Sequence, residues 1–120
     1  MAQIYPLPLA NGSNSDQEFR KLLSKSHKIQ EFTSYDLALD KLQKYGTKIN
    51  HEWKPEALKK LRDELYELRS KNVRTLLYFD GNNFFIILHS FLKTTQKTRK
   101  GQIQQALKEI KRWKELKKLL

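Results

Sequence analysis

The sequence contains no cysteine, and its 120 residues include only four glycines and three prolines. The absence of cysteine excludes thiol catalysis, thiolate zinc sites and disulfide bonds. The glycines are scattered, so the chain has neither a phosphate-binding P-loop nor a dinucleotide-binding motif. The histidines, His27, His51 and His89, share no metal-ligand spacing, and no paired carboxylates are placed for two-metal hydrolysis. We therefore expect neither a metal nor a cofactor.

Long apolar runs are also missing. The longest, FFIIL at residues 84–88, is far shorter than the roughly 20 residues that span a bilayer. The first residues, MAQIYPLPLANGSNSD, lack the positive flank and the apolar core of a signal peptide. These observations predict a cytoplasmic protein with no membrane partner. The length predicts one domain over residues 1–120.

What the sequence does have is positive charge, concentrated near its end. The net charge is +11, and residues 91–120 carry 10 Lys or Arg against 2 Glu, which places +8 in the last quarter of the chain. A field this one-sided favours a polyanionic partner, either a nucleic acid or an acidic protein segment.

The residue pattern indicates an α+β fold. Two prolines interrupt the alternation of IYPLPL, which predicts an edge strand or an extended arm over residues 1–15. Helical spacing predicts a short helix over residues 17–26 and a second from about residue 28 to Tyr45 that stops at Gly46. It predicts a last helix with an apolar stripe from Ile103 to Leu120. We expect a further turn of helix around residues 56–61.

Between the helices the apolar period changes to two. Residues 64–70, 73–80 and 83–92 are predicted to be three antiparallel strands, the last two joined at Asp80-Gly81. With helices on one face, such a sheet leaves its other face free to bind a partner. The expected order is an edge strand, two helices, three antiparallel strands and a helix.

A set of cations is expected to converge on one region of this sheet. Arg69 lies near the end of the first of the three strands and Arg74 on the second, while His89, Phe91 and Lys93 share one parity at the end of the third. Arginine can grip a phosphate with two parallel hydrogen bonds, and an aromatic ring can stack on an unpaired base. These side chains suit single-stranded RNA.

RNA also supplies its own nucleophile, the 2′-hydroxyl. Cleavage then requires a base, an acid and cations that stabilise the transition state, without a metal. Lysines crowded by other cations can transfer protons, and Lys93 and Lys97 lie close in sequence to Arg99 and Lys100.

Each candidate also has a structural interpretation. Arg69 would pair with Glu67 or Asp63, and Arg74 would be an ordinary strand residue. His89 would be a hydrogen-bonded histidine of the sheet, while Lys93 and Lys97 would be solvated loop charges. The sequence leaves these alternatives open.

Three motifs carry a resemblance to a known family. ELYELRS, VRTLLYF and ILHSFLKTTQKTRKGQIQQALKEIKRW resemble the HigB branch, often labelled phage-derived, of the RelE/ParE toxin superfamily. The resemblance covers about residues 61–113. It implies a RelE-like fold, with two N-terminal helices and a C-terminal helix packed on a small twisted antiparallel sheet.

The resemblance also implies a function. Members of the HigB branch are toxins of type II toxin–antitoxin systems that cut messenger RNA in the ribosomal A site without metal. Their partner is a helix-turn-helix antitoxin of the HigA type, through which the toxin reaches promoter DNA only indirectly.

Position by position, the resemblance implies phosphate and transition-state contacts for Arg69 and Arg74. His89, Phe91, Lys93 and Lys97 occupy the L-H-x-F-x-K and Q-K-T positions, with proton transfer or charge stabilisation expected of Lys93 or Lys97. Phe91, Arg99 and Lys100 are the expected RNA-binding residues. Thr94 and Arg99 depart from the usual lysine and proline, and the first 15 residues match the family's opening strand poorly.

Two other functions compete with this one. One is a basic module that binds RNA or a protein partner without cutting. The other is a gyrase-directed toxin of the ParE type, against which the set of cations argues.

Overall fold

The computed structural model describes residues 1–93 and 99–119, and within them the chain is an α+β fold built on one five-stranded sheet. The strands are β1 (Gln3–Pro6), β2 (Leu58–Arg62), β3 (Leu65–Ser70), β4 (Val73–Phe79) and β5 (Phe84–Leu92). The helices are α1 (Ser15–Lys25), α2 (Ile29–Tyr45), α3 (Ile49–Glu52) and α4 (Arg99–Lys118), with a short 3-10 turn at Gly46–Lys48. The strand order is β1-β5-β4-β3-β2.

The sheet is mixed rather than antiparallel throughout. β2 to β5 form an antiparallel meander, which confirms the three predicted strands. β1, however, pairs parallel to β5, with Gln3 opposite Phe84 and Pro6 opposite Ile87. A parallel neighbour requires a long crossover, and the helical segment between β1 and β2 provides it. The expectation of a purely antiparallel sheet is therefore wrong.

Local capping explains where the first two helices lie. The Asn14 side chain accepts a hydrogen bond of 2.9 Å from the Gln17 amide at the start of α1, as expected for an N-cap residue. α2 ends at Gly46, whose φ is +57° and whose absent Cβ would lie 2.7 Å from the Asn83 Oδ1 atom. Only glycine fits this close approach without strain.

The expected turn of helix around residues 56–61 is wrong, because this segment forms β2. Leu58 is buried and lies opposite Leu68 of β3, while Lys59 and Lys60 are exposed. Asn50 fixes the start of the strand, since its side chain both accepts from and donates to the backbone of Leu58, each at 2.7 Å. Strand pairing thus overrides the local helical pattern.

Helices cover both faces of the sheet, contrary to the expectation of one free face. α1, α2 and α3 pack on the face that carries Leu68, Leu77 and Phe85. α4 buries Ala106 and Ile110 against the opposite face. There it covers the cross-strand row of Leu65, Tyr78 and Ile86. The row of Arg69, Arg74 and Phe91 lies further along the same face.

Within residues 1–93 and 99–119, no helix is both long and apolar enough to cross a bilayer.

Candidate nucleic-acid interface

Three neighbouring strands bring the predicted cations and the aromatic ring into one row. Arg69 of β3 lies opposite Arg74 of β4, and Arg74 lies opposite Phe91 of β5. Residues directly opposite one another share a face of the sheet. Two guanidinium groups and one ring therefore occupy adjacent positions, in the region where the sequence led us to expect them to converge.

A buried carboxylate lies beside this row. Glu67 is only 1% exposed, and its Oε1 atom lies 3.4 Å from Nε of Arg69 and 3.5 Å from Nη2 of Arg99. A buried charge is costly unless it is paired, so Glu67 requires these partners. The pairing of Arg69 with Glu67 agrees with the structural interpretation of that arginine, and it also brings Arg99 of α4 to the sheet.

Arg74 is held in place by the backbone. Its side chain is largely buried, and its Nη1 atom donates to the carbonyl oxygens of Lys71 at 2.6 Å and Val73 at 3.0 Å. Burial, followed by the nearby charge of Arg69, lowers the pKa of Arg74 below its ordinary value. Arginine nonetheless keeps its charge in proteins. Arg74 thus presents a fixed cation at the end of the sheet.

His89 faces α4 instead of an open surface. Its Nδ1 atom lies 2.5 Å from Glu109 Oε1 and its Nε2 atom 2.6 Å from Gln102 Oε1. Both ring nitrogens are occupied, and the side chain is 14% exposed. This geometry agrees with the interpretation of His89 as a hydrogen-bonded histidine that attaches α4 to β5.

The remaining predicted residues surround the row. Phe91 is half-buried, with its ring centroid 6.0 Å from that of His89. Lys93 is exposed, and its backbone amide donates to the Asn72 carbonyl oxygen at 2.7 Å. Lys97 lies outside the described residues.

Arg99 and Lys100 begin α4 and line an open groove of about 610 Å³ together with Leu61, Arg62 and Ile103. The first turn of α4 contains no acidic residue. Cations at a helix N-terminus oppose the helix dipole. This arrangement therefore concentrates positive potential at the end of α4 that lies nearest Glu67.

Sequence reasoning missed Lys54, which lies between α3 and β2. Its Nζ atom lies 4.5 Å from the ring centroid of Trp53. Burial, and then the charges of Arg74 and Lys71, lower the pKa of Lys54. Lys54 therefore lies close enough to the arginine row to be repelled by the charge of Arg74. Its separation of 20 residues from Arg74 left no signal in the sequence.

In residues 1–93 and 99–119, no group of three or more His, Cys, Asp or Glu side chains is placed to hold a metal ion.

Comparison with known proteins assigns most of the chain to one protein family. No curated protein matches the chain. The model of the family described as "Phage derived protein Gp49-like (DUF891)" matches residues 17–111, from α1 into α4, and leaves β1 outside the match. Since the match covers well over half of the chain and includes the whole meander that carries the arginine row, this protein belongs to the Gp49-like family of phage-derived proteins.

Proposed function

We propose that the protein is the toxin of a type II toxin–antitoxin system, of the HigB type and with a RelE-like fold, that cleaves messenger RNA on the ribosome. The observation that carries the proposal is the row of Arg69, Arg74 and Phe91, with Arg99 of α4 beside it. The Gp49-like family is associated with toxin endoribonucleases, which supports the same reaction.

In the proposed reaction the 2′-hydroxyl of one nucleotide attacks the adjacent phosphate and expels the 5′ oxygen. Arg69 and Arg74 contact the phosphate and stabilise the charge that develops on its oxygens. Lys93 or Lys97 transfers the protons. Phe91 stacks on a base, while Arg99 and Lys100 draw the strand in.

The geometry changes the role assigned to His89. Because Glu109 and Gln102 occupy both of its ring nitrogens, His89 positions α4 in this proposal rather than transferring a proton. The proposed regulator is a helix-turn-helix antitoxin of the HigA type, which alone contacts promoter DNA.

Arg74→Ala tests the proposal most directly. Induction of the wild-type protein should produce new 5′ ends inside translated reading frames, and Arg74→Ala should reduce their number by about 100-fold or more, because a fixed cation at the transition state is lost. Lys25→Ala, an exposed lysine of α1, is the control and should cut like wild type. Growth arrest with intact transcripts would contradict the proposal.

A second candidate is a basic module that binds RNA without cutting it. The occupied ring of His89 favours this function, since it removes one candidate for proton transfer. If the purified protein, with ribosomes present, binds RNA but never cleaves it, the result would favour the binding module over the endonuclease.

A further inference from the structure

Three cations from separate segments meet at the end of the sheet where β3 turns into β4. Lys54 follows α3, and Lys71 lies in the turn between β3 and β4. Arg74 is the second residue of β4. The backbone brings the first segment here, because the Arg69 amide donates to the Ala57 carbonyl oxygen at 2.7 Å. We call Lys54, Lys71 and Arg74 the sheet-end cluster.

The sheet-end cluster has no ion-pair partner within the part of the chain that the structure describes, although the charge of Glu67 acts on Arg74. No carboxylate oxygen there lies within 4.0 Å of a side-chain nitrogen of Lys54, Lys71 or Arg74. Lys54 is half-buried and Arg74 is only 8% exposed. Like charges this poorly hydrated repel one another, so the cluster destabilises the free protein.

The backbone at Lys71 is also unusual. Its φ is +54°, a left-handed conformation that glycine or asparagine adopts more readily than lysine. In this turn the Lys71 carbonyl oxygen accepts from Nη1 of Arg74, which joins the backbone of Lys71 to Arg74. The positive φ is the one that a two-residue hairpin loop between β3 and β4 requires. A group of like charges without an ion-pair partner is typical of an anion-binding site rather than of a stabilising contact.

We propose that Lys54 and Lys71, next to Arg74, form a second phosphate-binding position, which holds the phosphate adjacent to the scissile one in single-stranded RNA. The inference rests on the proposed function, because it takes RNA as the ligand of the arginine row. Lysine suits this position, since a neighbouring phosphate requires a positive charge but no orientation for chemistry.

The apolar stem of Lys54 contributes separately from its charge. Because the ammonium lies over the Trp53 ring, truncation to alanine would also remove packing. Lys54→Met keeps the stem and removes only the charge. Lys44→Met is the matched control, since the Lys44 ammonium likewise lies over the ring of a sequence neighbour, 5.3 Å from the centroid of Tyr45.

The first measurement is the salt dependence of binding. A short single-stranded RNA with 2′-O-methyl groups binds without being cut, and its affinity is measured by fluorescence anisotropy over a series of salt concentrations. Lys54→Met should reduce the slope of log affinity against log salt by about 0.7, the value for one lost phosphate contact on a single strand. Lys44→Met should leave the slope unchanged.

The second measurement is the thermal stability of the free protein. Lys54→Met should raise the Tm at low salt, because it relieves repulsion within the sheet-end cluster, and added salt should shrink this gain. A merely structural lysine would give a lower Tm in the variant.

The outcomes separate the two proposals. An unchanged slope in Lys54→Met, or a wild-type protein that does not bind the oligonucleotide, would overturn the inference whatever the cleavage assay shows. If Lys54→Met reduces the slope but the wild-type protein never cuts RNA, the second phosphate-binding position is supported and the proposed endonuclease activity is contradicted.

Discussion

At the scale of single residues, Glu67 decides how the arginines are arranged. Its buried carboxylate lies between Arg69 of β3 and Arg99 of α4. Both arginines are partly exposed, at 25% and 41% of the side chain, so their outer atoms remain free for solvent or for a phosphate. Glu67 thus fixes the inner side of a cationic surface while the outer side stays open.

Glu67→Gln should reduce the free energy of unfolding by about 1–3 kcal/mol, because the neutral amide cannot replace a buried charge that pairs with Arg69 and accepts a hydrogen bond from Arg99. Urea denaturation measures the change. Glu115→Gln, at an exposed position of α4, should change the free energy by less than about 0.5 kcal/mol. Equal stability of the two variants would show that Glu67 does not hold the arginines together.

The sequence predicted that Arg69, Arg74 and Phe91 converge, because an antiparallel meander brings the end of one strand beside the start of the next. It did not predict Arg99 beside Glu67 or Glu109 beside His89, since these pairs depend on how α4 docks, which no local pattern determines. Lys54 was missed for the same reason. β2 was interpreted as helix because Leu58 and Leu61 also fit helical spacing.

At the scale of elements, α4 depends on a small number of polar contacts with the sheet. Its apolar contacts come from the buried Ala106 and Ile110 and from the partly buried Ile103 and Trp113. His89 and Glu109 add a link whose side chains are 14% and 16% exposed. Glu109 lies between Ala106 and Ile110, so this link attaches the middle of α4 to β5, while Gln102 at the other ring nitrogen lies closer to Arg99.

A double-mutant cycle with His89→Ala and Glu109→Ala should give a coupling of about 1–2 kcal/mol in the free energy of unfolding, because the pair is largely shielded from water. Lys114 and Glu64 form the control pair, since their side chains are 48% and 42% exposed. Their coupling should stay below about 0.5 kcal/mol. If the coupling free energy of His89 and Glu109 is as small as that of the control pair, then the His89–Glu109 contact does not attach α4 to the sheet.

At the scale of the whole molecule, positive charge lies mainly on the side of the sheet covered by α4. Exposed lysines follow the outer face of that helix at Lys111, Lys117 and Lys118. They lie away from the arginine row along the sequence, and we expect them to act through the long-range field. Such a field changes how often RNA arrives, but it does not change how long RNA stays.

The triple variant Lys111→Gln, Lys117→Gln and Lys118→Gln should lower the association rate with single-stranded RNA by about two- to tenfold at low salt and leave the dissociation rate nearly unchanged. Stopped-flow fluorescence separates the two rates. Changing Lys21, Lys25 and Lys28 to Gln removes the same charge from the opposite side of the sheet and should have a smaller effect. An equal effect would indicate that only net charge matters.

The parallel pairing of β1 with β5 has a consequence during synthesis. The outer edge of β5 belongs to the most apolar run of the chain, and an open apolar edge invites pairing with other molecules. β1 leaves the ribosome first, and about 80 residues of chain follow before β5 appears. When β5 emerges, β1 is already available to pair with its outer edge, so the nascent chain protects this apolar edge from aggregation.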